Sequence, residues 1–173
     1  MTYGKLAAAA GGAYALSAGG SVSIAGASSV NPTGISINQR LHVGFYNCVC
    51  PGAALLDFRF GGASGIASTG YQTNYVAKDA PVSLRRFFAA FTDRFRCPIG
   101  AANRTVNGIF TLSLNDEATF TYAGAGILAQ TFTPQQIMQV QGWLVLGEEL
   151  SQFQVFTSDG SNMTSGTIFW LTE

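Results

Sequence analysis

QIMQVQGWLVLGEELSQFQVFTSDGSNMTSGTIFWLTE, residues 136–173, decides how the chain is read. On an extended backbone Ile137, Gln139, Gln141, Trp143 and Val145 fall on one side, and Met138, Val140, Leu144 and Leu146 on the other. Gly147-Glu148-Glu149 breaks the run. Two more strand-like runs follow, Phe153–Phe156 and Thr167–Trp170, joined by a polar, Gly-punctuated connection. A bulky strand at the end of a chain must be pinned into a sheet, because loose termini fray and are usually polar. The last strand is therefore expected to close a sheet. Phe169 and Trp170 point to opposite faces, one toward the core and the other toward a neighbouring subunit.

Upstream the same period recurs. Ile35, Ile37 and Gln39 continue into Leu41, Val43 and Phe45 on one odd-numbered face, and Leu56, Phe58 and Phe60 form a second inward set before Gly61-Gly62. Val106–Leu114 and Ala118–Tyr122 read as two strands across an Asn115-Asp116 turn. Residues 62–81 read as a long loop carrying Tyr71 and Tyr75. The run 84–91, with Leu84, Phe87, Phe88 and Phe91, suits a short helix or a strand equally well. Short strands between turn clusters, without recurring helices, predict an all-β fold: an antiparallel, jelly-roll-like β-sandwich over residues 35–173. Residues 1–34 are mostly Ala, Gly and Ser and predict an extended N-terminal arm, with Tyr3, Leu6, Tyr14 and Leu16 as its main docking side chains.

Only 10% of the 173 residues are charged, against the usual quarter or so, and the formal net charge is zero. That balance favours neither nucleic acid nor an acidic membrane surface as a partner. No run approaches the roughly 20 apolar residues of a membrane-spanning helix. The start resembles a secretion signal only loosely, being too rich in glycine. Cys48, Cys50 and Cys97 are an odd set, read as small buried hydrophobes in a reducing cell. One Cys-x-Cys and the lone His42 are too few ligands for a metal site.

Enzyme chemistry finds no constellation here. His42 lies in a strand pattern, no Gly-x-Ser-x-Gly or phosphate-loop motif occurs, and no cofactor motif is present. One asymmetry remains: Lys78, Arg85, Arg86, Arg94, Arg96 and Arg104 place six of nine basic residues within 27 positions. It reads either as a solvated face or, around Arg85, Arg86 and Arg94, as a docking patch for an acidic partner.

The 136–173 stretch resembles the C-terminal strands of β-sandwich proteins on tailed-bacteriophage virions, through Gly160, Gly166-Thr167 and the closing Ile168–Leu171. LLDFRFGGASGIASTGYQTNYV, residues 55–76, is similar to their strand followed by a Gly- and Ser-rich, Tyr-containing loop. The likeness spans about residues 36–173 and includes no catalytic motif. It implies a non-enzymatic virion-surface protein, commonly trimeric, made in the bacterial host cytoplasm. The first expectation is a capsid decoration or cement protein docked on the major capsid protein through its arm. The alternative is a tail-fibre or receptor-binding tip that holds bacterial surface glycan on Tyr71 and Tyr75. An extracellular adhesin ranks third, for want of a persuasive secretion signal.

Overall fold

The computed structural model describes residues 18–36, 39–52, 54–79, 83–97, 105–131 and 136–173, with side chains at 77–90 left out. The regular elements there are β-strands. In chain order they are β1 (Ala18–Ser23), β2 (Ser29–Val30), β3 (Arg40–Val49), β4 (Leu56–Gly62), β5 (Gly65–Ile66), β6 (Tyr71–Asp79) and β7 (Ser83–Phe91). They continue with β8 (Phe95–Cys97), β9 (Thr105–Asp116), β10 (Thr121–Thr131), β11 (Gln136–Val145), β12 (Gln152–Thr157) and β13 (Ser165–Thr172). Eight form one antiparallel sheet in the order β1-β13-β3-β9-β10-β11-β6-β7. A smaller sheet, β2-β12-β4-β5 with β8 beside β4, packs across it. The chain passes repeatedly from one layer of the sandwich to the other; β9-β10-β11 is a plain meander.

The core lies between the layers and is built mainly from alternating positions. Leu41, Val43 and Phe45 of β3, Phe110 and Leu112 of β9, and Met138, Val140 and Leu144 of β11 come from the large sheet. Leu56, Phe58 and Phe60 of β4 answer them, with Phe153 and Val155 of β12. At its centre Phe58 stacks on Phe95 at 5.5 Å between ring centroids and meets Phe110 edge-on at 4.8 Å, geometries that add to the burial of area. Two tyrosines tie the layers together. The Tyr71 hydroxyl accepts from the Phe60 backbone N–H at 2.8 Å and donates to the Phe60 carbonyl at 3.0 Å, and the Tyr122 hydroxyl accepts from the Leu150 N–H.

The inward set of β3 changes from odd to even numbers at a bulge. Register shifts between Phe45 and Cys48, where Asn47 has φ 50° and its N–H is held by the Asn107 side chain at 2.8 Å. The extra residue turns Cys48 into the core, where all three thiols lie buried and free. Burial pushes the thiols of Cys48 and Cys50 up to about 12, so both stay neutral hydrophobes.

Three expectations change. The domain does not begin at residue 35: β1 pairs with β13 over its whole length, β2 pairs with β12, and Ile24 between them is fully buried. Small residues suit that edge because Gly20 lies against the indole of Trp170, where a Cβ would stand 2.4 Å from the ring. Residues 1–17 of the expected arm, with Tyr3, Leu6, Tyr14 and Leu16, lie outside the described residues. The run 84–91 is a strand within β7, and the expected 62–81 loop holds β5 and all of β6, because Tyr71 and Thr73 serve the core. Finally, β13 does not end its sheet; it sits between β1 and β3, and β1 forms the edge.

Candidate docking surface

With β6, β9, β10, β11, β3 and β13 facing the core on one side, alternation sends every other residue of the large sheet outward. Outward positions are Ile109, Thr111 and Ser113 on β9, and Ala123, Ala125, Ile127 and Ala129 on β10. On β11 they are Ile137, Gln139, Gln141, Trp143 and Val145. None is charged. Among the described residues, every large hydrophobic side chain that stands exposed is on this sheet: Tyr46 of β3, Ile109, Ile127, Ile137, Trp143, Val145, and Leu171 of β13. Ile127 is 65% exposed and Trp143 49%. Beside Ile127 a shallow open depression is floored by Gly108, Ala125 and Gly126 and walled by Ile109 and Gln139. Among the described side chains charge enters at one rim, where Arg40 and His42 approach Glu173 at 3.4 and 3.3 Å; His42 Nδ1 also shares a 2.9 Å hydrogen bond with Thr111.

The outer side of the small sheet has the opposite character. Asp57, 0% exposed, takes a bidentate pair from Arg96 at 2.8 and 2.7 Å and a third bond from Arg94 at 3.0 Å. Asp93 is gripped by Arg94 and by Arg59 at 2.8 Å. The Arg94 hydrogen bonds, ahead of those from Arg59, hold the Asp93 carboxyl below its ordinary value, and the same pairing raises Arg94. Arg59 and Arg94 also stack over the Phe156 ring, at 4.9 and 5.6 Å. The cluster joins three arginines to two aspartates through one network of ion pairs.

The expected site residues therefore separate. Tyr71 is buried in the core with its hydroxyl satisfied, so it offers no face to a sugar, and desolvation by burial raises its phenol well above the ordinary range. Tyr75, on the same inward side of β6, is half-buried and packs against the core. Arg94 is ion-paired with Asp57 and Asp93, and Arg96 with Asp57, so both guanidiniums are engaged within the protein. Arg85 and Arg86 lie on β7, opposite Ala77 and Val76; their side chains fall outside the described residues. Reasoning from sequence overlooked Ile109 and Ile127. The signal was present in β11, apolar on both faces, which is the pattern of a strand covered on both sides.

Among the described residues no three His, Cys, Asp or Glu groups gather as a metal site requires. Compared with known proteins, the chain matches no protein-family model and no curated relative.

Proposed function

We propose that this chain is a non-enzymatic structural subunit of the surface of a tailed-bacteriophage virion, a capsid decoration or cement protein. The observation that carries the reading is the apolar outer face that β9, β10 and β11 give the large sheet, where no outward residue is charged. A sandwich needs one apolar face per sheet to fold; a second such face on the same sheet costs solubility unless something covers it. An assembly subunit has that need, and a free-standing soluble binding module does not. The sequence likeness over residues 36–173 supports the virion setting, and the 10% charge content suits a chain that works packed among neighbours. In this reading residues 1–17, with Tyr3, Leu6, Tyr14 and Leu16, add contacts to the major capsid protein.

The receptor-tip alternative receives no support from its own residues, since Tyr71 is a core side chain. The test uses particles stripped of this protein and incubated with the labelled full chain. Saturable rebinding over the head, seen by electron microscopy, is the expected result. Rebinding at the tail tip alone, or none, overturns it.

A further inference from the structure

We infer that the outer face of the large sheet pairs with the same face of a second copy of this chain about a twofold axis. The inference rests on the assembly reading above and names the partner.

Three observations point to a second copy. The face is neutral across β9, β10 and β11, so two copies meet without repulsion, whereas a charged partner would gain nothing there. Its central five strands span on the order of 650 Å² of flat sheet, from strand spacing and rise. Side-chain relief brings that to about the 800 Å² per partner of a standard interface. The exposed large hydrophobics of the described residues all belong to this one face. A head-to-tail ring would set it against a polar surface; only a self-paired contact sets apolar against apolar.

The relief of the face is self-complementary. Across the sheet, Ala125 lies level with Thr111 and Gln141, Ile127 with Ile109 and Gln139, and Ala123 with Ser113 and Trp143. An axis lying in the interface and crossing β10 at Ala125 reverses the strands. Ile127 of each copy then meets Ala123 of the other, Ile109 meets Ser113, and Trp143 meets Gln139. One step further out Ile137 meets Val145, since those positions flank the same centre. Ile127, Ile109 and Trp143 each find a short or flexible partner, as interdigitating sheet faces require, and Ile137 with Val145 makes an apolar contact at the rim. The virion-protein likeness implies threefold order, so this geometry separates the two.

The test is sedimentation of the full chain at micromolar concentration, with Ile127→Glu and Ala125→Cys variants alongside. The expected mass is that of two 18.2 kDa chains. Ile127→Glu, at a solvent-facing position, should keep the circular dichroism and melting of the parent while weakening pairing about 100-fold or more. Ala125→Cys, on the axis, should cross-link to itself under mild oxidation, because the three native thiols are buried. A single-chain or three-chain mass overturns the inference. So does a pair that survives Ile127→Glu, or one in which Ala125→Cys fails to cross-link. Head-bound but monomeric protein would sink this inference and leave the assembly reading standing; a dimer absent from particles would do the reverse.

Discussion

Gly44 of β3 lies directly beneath the ring of Phe169 on β13, and a Cβ built there would sit 1.9 Å from the ring. The ring cannot yield without leaving the sheet surface. Gly44→Ala is expected to destabilise the protein by about 1–3 kcal/mol through overpacking. Denaturant titration measures this, and Phe169→Ala in the same chain should recover much of the loss; an additive pair would rule out the clash. Asp57 makes the second residue-scale case. Removing it leaves Arg96 without its counter-charge and Arg94 with Asp93 alone, so Asp57→Ala should cost about 3 kcal/mol, the low end for a broken buried pair because both arginines keep contact with water. Acid acts through Asp93. Its folded pKa lies below the unfolded one, so its contribution is complete above the ordinary carboxylate range and is lost as pH falls through the folded value. Stability should drop on acidification below about pH 4, and less steeply in Asp93→Asn.

At the level of the element, β1 carries a role that its composition conceals. Six residues without a single large side chain except Val22 complete the hydrogen bonding of β13 and shield its edge. Ile24, just beyond, enters the core. Removing residues 1–17 leaves every described strand in place and should leave the melting temperature within a few degrees of the full chain. Removing 1–24 deletes β1 and the buried isoleucine, which should cost about 2–5 kcal/mol for the side chain alone and yield aggregating protein through the bared edge. Light scattering beside thermal melting distinguishes the two; equal behaviour would mean β1 is dispensable. The opposite edge, β7, has Arg85 and Arg86 in succession, and charge on an edge strand discourages pairing with other chains. That gives the pair a role that needs no docking partner.

At the scale of the whole molecule, the pairings that hold the large sheet join distant parts of the chain. β13 lies between β1 and β3, so the two ends of the described chain meet at one edge of the large sheet. Such contacts form only after long loops have closed. Refolding is therefore expected on the millisecond-to-second scale of non-local β-proteins, with β9-β10-β11 as the local exception. Stopped-flow fluorescence of Trp143 and Trp170 reads it, and a microsecond phase carrying the full amplitude would contradict the topology. The two indoles report different events, since Trp170 packs on Phe153 in the core and Trp143 stands on the outer face.

The alternation in β3, β4, β9, β11 and β12 was legible from sequence because side-chain direction along a strand is set locally, by the backbone itself. The same local rule made Cys48 and Cys50 share a face, and both are buried. Hydrophobic pattern alone could not separate helix from strand at 84–91, or loop from strand at 71–79. There the deciding term is pairing with a distant partner, β11 for β6 and β6 for β7. Nor could composition show that Gly19 and Gly20 are edge-strand residues rather than arm, because what selects them is Leu171 beside Gly19 and the indole of Trp170 beside Gly20, some 150 positions away. The outer face was half visible. β11 displayed apolar residues on both sides, yet whether Trp143 and Ile137 faced the core or solvent depended on which layer lay opposite. Sequence alone determined the period, the β class and the inward residues of the clearest strands. Tertiary structure alone decided strand order, the incorporation of residues 18–34, the neutralisation of Arg94 and the existence of one uncovered apolar face, since each of these is a relation between residues far apart in the chain.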